Sequence, residues 1–146
     1  MKIYFACSIT GGREFESIYQ IIVHALISDG HQVLTAHLAE ASASEKEAAL
    51  GPREVYLRDV RWIIESDVLI AEVSVPSHGV GYEIGYALGT SKPVLALHHC
   101  DRKVSKMISG NPDTLLQVKT YQDATEAQQM MREFLAGIGN IIMPTG

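Results

Sequence analysis

The sequence predicts an α/β fold, a single domain built on a doubly wound, five-stranded parallel sheet of the flavodoxin or Rossmann kind with helices on both faces. Three observations carry that expectation. Short apolar runs alternate with stretches of helical periodicity, the pattern of repeated strand–helix–strand crossovers. The run Asp67–Val73 (DVLIAEV) is apolar enough for a strand covered on both sides. No internal repeat, low-complexity tract or linker interrupts the 146 residues, so 1–146 is read as one domain.

The elements follow in order. Lys2–Cys7 is a first strand, and Ser8–Gly12 a turn. Glu14–Asp29 sets Phe15, Ile18, Ile22, Ala25 and Leu26 at helical spacing, and Gly30 closes it. His31–Thr35 (HQVLT) is a second strand. Ala39–Ala49, rich in Ala, Ser and Glu, reads as a loop or a loose helix. Pro52 suits a first helical turn, and Arg53–Glu65 carries Val55, Val60, Ile63 and Ile64. After the Asp67–Val73 strand come a helix at Val80–Gly89 and a strand at Pro93–Leu97. A short helix at Arg102–Ser109, a strand at Leu115–Val118 and a helix at Thr125–Ala136 complete the fold, with the tail IIMPTG expected to be irregular.

Composition narrows the function. At 47 % hydrophobic the chain can bury a core without disulfides or metals. Cys7 and Cys100 make no disulfide framework and fit a reducing, cytoplasmic setting. No apolar run approaches the roughly 20 residues of a membrane span. The opening MKIYFAC is too short for a signal-peptide core and reads as a strand. A formal charge of −5 argues against a nucleic-acid polymer as partner, since phosphate backbones are held by Lys and Arg clusters. A single nucleotide needs only a local anion site.

In parallel sheets ligands sit beyond the carboxyl ends of the strands, which directs attention to four segments: Ser8–Arg13, Ala36–Glu40, Ser74–Glu83 and His98–Met107. Ser8-Ile-Thr-Gly-Gly-Arg13 follows strand one and opens helix one. Its glycines let backbone N–H groups approach an anion, and Ser8 and Thr10 add hydroxyls. Neither the dinucleotide fingerprint nor the P-loop is present, so an ordinary capped turn is the competing reading. Pro76-Ser-His-Gly-Val-Gly-Tyr-Glu83 follows strand three on the same edge. Gly79 and Gly81 let the backbone pass close to a ligand. Glu83 is expected in the first helical turn, where the dipole favours its ionised form. A positioned carboxylate is what attack on an anomeric carbon requires, although acidic residues also enrich first turns merely by stabilising helices. Asp59, in Arg58-Asp-Val-Arg-Trp62, is a carboxyl near the core; beside a second carboxylate its pKa would rise and it could donate a proton, whereas a solvated helix face is the plain alternative. Tyr4 reads as a core tyrosine with a satisfied hydroxyl. His98 and His99 point to opposite faces, poor geometry for one metal, and no metal site is expected.

Taken together, the stretches KIYFACSITGGR (Lys2–Arg13), RDVRW (Arg58–Trp62) and ESDVLIAEV (Glu65–Val73) with the following PSHGVGYEIG resemble the nucleoside 2-deoxyribosyltransferase superfamily. Within it, they look most like the 2′-deoxynucleoside 5′-monophosphate N-glycosidases. The resemblance spans Tyr4 to about Val118. It implies that Glu83 is the nucleophile at C1′ of the deoxyribose, that Asp59 protonates or orients the leaving base, and that Tyr4 positions the nucleophile. It implies no metal and no cofactor. The 5′-phosphate is implied to lie at Ser8, the Gly11-Gly12-Arg13 turn and Ser77, with Ser105 supplied by the neighbouring subunit of a homodimer. His37 is implied to contact the base. Cys7, Ile9, Thr10, Gly79 and Met107 complete the expected binding set. The chain departs from the family at Thr10, where arginine is common, which removes a guanidinium from the phosphate or base. The hydroxyls Ser8, Ser77 and Ser105 favour a monophosphate hydrolase. The alternatives are a base-exchanging deoxyribosyltransferase, a CMP-type ribonucleotide N-glycosidase, and a nucleotide-binding sensor without chemistry.

Overall fold

Five strands run parallel in the order β2-β1-β3-β4-β5: β1 (Lys2–Ala6), β2 (Gln32–Val33), β3 (Val68–Glu72), β4 (Val94–His99) and β5 (Leu116–Tyr121). This is a computed structural model, and it describes residues 1–10, 12 and 14–142. The helices are α1 (Glu16–Ser28), α2 (Ala43–Ala48), α3 (Pro52–Glu65), α4 (His78–Gly89), α5 (Lys106–Ser109) and α6 (Ala124–Ile142), with a 3-10 turn at Ala36–Ala39. Among the described residues no helix is long and apolar enough to cross a membrane.

Alternation along the strands divides the core in two. Ile3, Phe5, Val68, Ile70, Leu95 and Leu97 face one side, where Tyr19, Ile22 and Leu26 of α1 and Ala127, Met131 and Phe134 of α6 cover them. Tyr4, Ala6, Leu69, Ala71, Val94 and Ala96 face the other, under Ile63 of α3 and Val80, Ile84 and Ala87 of α4. Strand β3 is buried along its whole length, as its continuous apolar run requires. Each large apolar side chain so enclosed contributes about 1.5–3 kcal/mol of transfer free energy.

The strand order matters for function. β1 pairs with β3 from Ile3↔Val68 to Ala6↔Ala71, yet the chain leaves β1 toward α1 on one face and leaves β3 toward α4 on the other. The two connections diverge and open a crevice at the carboxyl ends of β1 and β3.

Several element boundaries differ from expectation. Helix α1 begins two residues late, and β2 keeps only Gln32–Val33 of the expected strand. The Ala/Ser/Glu segment is ordered as the 3-10 turn and α2, with Leu38, Ala39 and Ala43 buried. Helix α4 starts at His78, α5 is confined to four residues, and β4 and β5 extend to His99 and Tyr121. Helix α6 runs through Gly137 and Gly139 to Ile142, so the expected irregular tail is helical at Ile141 and Ile142. Each glycine costs a helix about 1 kcal/mol, but Ile138 packs against the core and burial outweighs it. Gly30 closes α1 at φ +84°, a left-handed conformation suited to glycine.

Candidate functional site

A cavity of about 450 Å³ occupies the crevice. One wall comes from the β1 loop and the start of α4: Cys7, Ile9, Thr10, Ser77, Gly79, Val80 and Glu83. The other comes from the 3-10 turn, α2 and α3, and includes Leu38, Ser44, Glu47, Ala48, Val55 and Asp59.

Glu83 sits at the heart of it. Ser77 caps α4 by accepting from the Val80 N–H at 3.3 Å, which makes Glu83 the sixth helical residue. The first turn of α4 carries no acidic residue, so the expected first-turn position of Glu83 is corrected. It lies one turn deeper, where the helix dipole acts weakly and the core is close. The expected ground for its ionisation, the first-turn dipole, is corrected with it. Burial of the carboxyl raises its pKa from 4.5 to about 7, the Tyr4 hydrogen bond opposes that rise, and the nearby Asp59 charge adds to it. Tyr4, fully buried on β1, donates its hydroxyl to Glu83 Oε1 at 2.6 Å. Burial first, and the Glu83 charge second, push the phenol far above its ordinary range, so it remains a donor.

Asp59 faces the same cavity from α3. Burial raises its pKa, while the hydrogen bond and charge of Arg58 pull the other way. Arg58 Nε donates to Asp59 Oδ1 at 2.8 Å, and its fork donates to Glu47 Oε1 and Oε2 at 2.8 and 2.9 Å. The guanidinium also lies 4.9 Å from the centroid of the Trp62 ring. One arginine therefore ties two cavity carboxylates together. The Arg58 hydrogen bonds hold Glu47 below its usual pKa.

The other expected residues distribute as follows. Ser8 is fully buried beneath the β1 loop. Gly12 takes φ +126° and packs near Val75. Gly11 and Arg13 lie outside the described residues. His37 belongs to the 3-10 turn, with Nε2 3.5 Å from Glu47 Oε1 and its ring edge-on to Trp62; it stands beside Glu47 and is not one of the residues lining the cavity. Ser105 caps α5 and, with the highly exposed Met107, lines a separate cavity of about 530 Å³ that shares Ser77 and Val80 with the first. Glu47, Ser44 and the bridging role of Arg58 were not legible in the sequence. Glu47 and Arg58 are eleven residues apart with no periodic link, and only the folded chain, through the Arg58–Glu47 hydrogen bonds, joins them. His99, Cys100 and Asp101 bring possible ligand atoms within 4.8 Å of one another, away from the cavity. Both His99 ring nitrogens already serve the fold, Nε2 at the Gln122 carbonyl (3.0 Å) and Nδ1 at the Asp101 N–H (3.2 Å).

This arrangement defines a doubly wound α/β protein whose switch-point cavity is furnished with carboxyl groups poised for acid–base or nucleophilic work. The chain belongs to the nucleoside 2-deoxyribosyltransferase family, whose model matches residues 3–137. It is 42 % identical over 137 residues to a Methanosarcina mazei protein provisionally named 2′-deoxynucleoside 5′-phosphate N-hydrolase 1, covering 94 % of this chain and 85 % of that protein. It is 41 % identical over 144 residues to the 5-hydroxymethyl-dUMP N-hydrolase of Esox lucius, covering 94 % and 98 %. In fold it is similar to the CMP N-glycosidase of Clostridium botulinum, with a TM-score of 0.70 at 20 % identity over 92 % of this chain and 99 % of that one.

Proposed function

We propose that the protein hydrolyses the N-glycosidic bond of 2′-deoxynucleoside 5′-monophosphates, releasing the free base and deoxyribose 5-phosphate. The observation that carries this reading is the Tyr4–Glu83 hydrogen bond inside a cavity that Asp59 also lines. Relatives at about 40 % identity carry N-hydrolase names, which supports the substrate class.

In the mechanism, an ionised Glu83 oxygen attacks C1′ and the C1′–N bond breaks. The bonding pair leaves with the base, which takes a proton from the Asp59 side. Arg58 occupies Asp59 Oδ1, leaving Oδ2 to the base. The glycosyl–glutamate ester is then cleaved at C1′ by water, whose proton returns to the carboxyl pair, restoring Glu83. A carboxyl with a pKa near 7 is divided between its two forms at neutral pH, which suits a group that must be an anion to attack. Tyr4 holds Oε1, so Oε2 is the oxygen offered to the sugar. The phosphate fits the wall of Thr10, Ser77 and Gly79, where the start of α4 presents N–H groups.

The same reading makes the protein a cytoplasmic homodimer. Tyr56, Ile64 and Tyr82 leave about half of their surfaces exposed along α3 and α4, and Ser105 and Met107 lie apart from the Glu83 cavity of their own chain, which suits donation to a partner. Sedimentation velocity at micromolar concentration tests the dimer.

The central test is chromatography of free base after incubation with ribo- and deoxynucleoside 5′-monophosphates, with a free acceptor base added in parallel. Release of base from at least one deoxynucleotide, lost in Glu83→Ala, is expected. A new nucleoside appearing with the acceptor would instead indicate base exchange. Unchanged turnover by the variant would remove Glu83 from the mechanism.

A further inference from the structure

With Glu83 at C1′ and the phosphate at the Thr10–Ser77–Gly79 wall, the base extends toward the 3-10 turn, α2 and α3. That placement rests on the function proposed above. The surface it meets there is apolar at Leu38, Ala48, Pro52 and Val55, and its polar groups, besides the Asp59 carboxyl already assigned to the leaving nitrogen, are Ser44 and Glu47. An apolar slot of this kind accepts the faces of any base. Discrimination among bases falls to the polar edge.

We propose that Glu47 is the specificity-determining residue of this site, a fixed anionic acceptor that selects bases bearing an exocyclic amino or hydroxyl donor. Three features support the assignment. Glu47 reaches the cavity from α2 while remaining mostly buried, its side chain 14 % exposed. Its orientation is set from behind by the two-pronged hydrogen bond of Arg58, an interaction that fixes a carboxylate plane. Its capacity is incompletely used. A carboxylate offers about four lone-pair sites, and among the described residues Arg58 takes one on each oxygen while His37 approaches Oε1. Oε2 keeps a site for a further donor.

The Arg58 hydrogen bonds also keep Glu47 in its charged form, so it cannot become a donor to suit a carbonyl. A base presenting a carbonyl oxygen at this edge would set lone pair against lone pair and leave the carboxylate desolvated and unmatched. An amino or hydroxyl group there replaces the lost water with a charge-assisted hydrogen bond. Ser44, on the same helix, can serve either kind of edge and so does not discriminate by itself.

Matched pairs of deoxynucleoside 5′-monophosphates test the proposal, each pair differing only in the exocyclic group: dCMP and dUMP, 5-hydroxymethyl-dUMP and dUMP, dAMP and dIMP, dGMP and dIMP. The parent protein should favour the donor-bearing member of at least one pair by about tenfold or more in kcat/KM, the span expected for a matched charged acceptor. In Glu47→Gln that within-pair ratio should fall to about threefold or less, because the amide can turn either atom to the base. A ratio within one pair is insensitive to how much of a variant is folded. Should Glu47→Gln yield no folded protein, Glu47→Asp, which withdraws the carboxylate by one methylene, should narrow the ratio in the same direction. Parent-like ratios in the folded variant, or no preference in the parent, would overturn the assignment while leaving the hydrolase reading intact. Absence of turnover by the parent on every member would strike the hydrolase reading itself.

Discussion

The Tyr4 hydroxyl lies 2.6 Å from Glu83 Oε1 and donates to it across 79 positions of sequence. A residue of the first strand thereby holds the carboxyl of the fourth helix. That hydrogen bond favours the charged form of Glu83, against the burial that raises its pKa to about 7. In the proposed function Glu83 attacks in its ionised form, so kcat/KM should climb as pH rises through about 7 and level above it. Tyr4→Phe removes the opposing contribution, so the climb should move to higher pH and kcat/KM at pH 7 should fall by about 10–100-fold. A pH–rate profile of parent and variant measures both. An unmoved profile would mean that Tyr4 only packs.

Glu83 also makes stability depend on pH. Its pKa is raised in the folded state, so its contribution is fully present below the unfolded value of 4.5 and is lost as pH rises through about 7. The loss is on the order of 3 kcal/mol. Glu83→Gln keeps an acceptor for Tyr4 and cannot ionise. Thermal melts at pH 5 and pH 8 should therefore show the variant gaining on the parent as pH rises. Equal differences at the two pH values would place the titration elsewhere.

Arg58 joins Glu47 to Asp59 with side chains that are 14–19 % exposed. Arg58→Leu leaves two mostly buried carboxylates without their counter-charge and should cost about 2–4 kcal/mol in chemical denaturation. It should also raise the Asp59 pKa further, since Arg58 now holds it down. Arg58→Lys should restore only part of the stability, because one ammonium cannot serve Asp59 and both Glu47 oxygens at once. Full restoration would show that charge alone suffices.

On the sheet face opposite Tyr4, Glu72 of β3 is wholly buried and accepts from the hydroxyls of Ser74 and Tyr121, the latter at 2.9 Å. Burial raises its pKa, and both hydroxyls oppose the rise. Ser74 in turn accepts from the His99 N–H at 2.8 Å, so the group links β3, β4 and β5. Tyr121→Phe should destabilise by about 1–2 kcal/mol, the cost of one unmet charged or polar acceptor, measured by urea denaturation. A neutral result would indicate that Ser74 alone satisfies Glu72.

Much of this was legible beforehand because it depends on local pattern. The apolar run of β3, the glycine after α1 and the proline opening α3 each act within a few residues. They predicted a parallel sheet and the loops at its carboxyl edge. The tight motif from Ser77 to Glu83 likewise identified the acidic residue of interest, and the family resemblance proposed partners for it. Boundaries failed where burial competes with propensity, as at the glycines of α6 and the Ala/Ser/Glu segment that became α2.

The amino-acid order determined the topology and the presence of Glu83, Asp59 and Tyr4 on elements able to meet at one edge. Tertiary structure decided their chemistry. Whether Glu83 carries a charge depends on how deeply the second turn of α4 is buried and on a tyrosine from another strand. Whether Asp59 and Glu47 act together depends on one arginine reaching both. Solvation and charge proximity are properties of packed space, and no spacing along the chain encodes them.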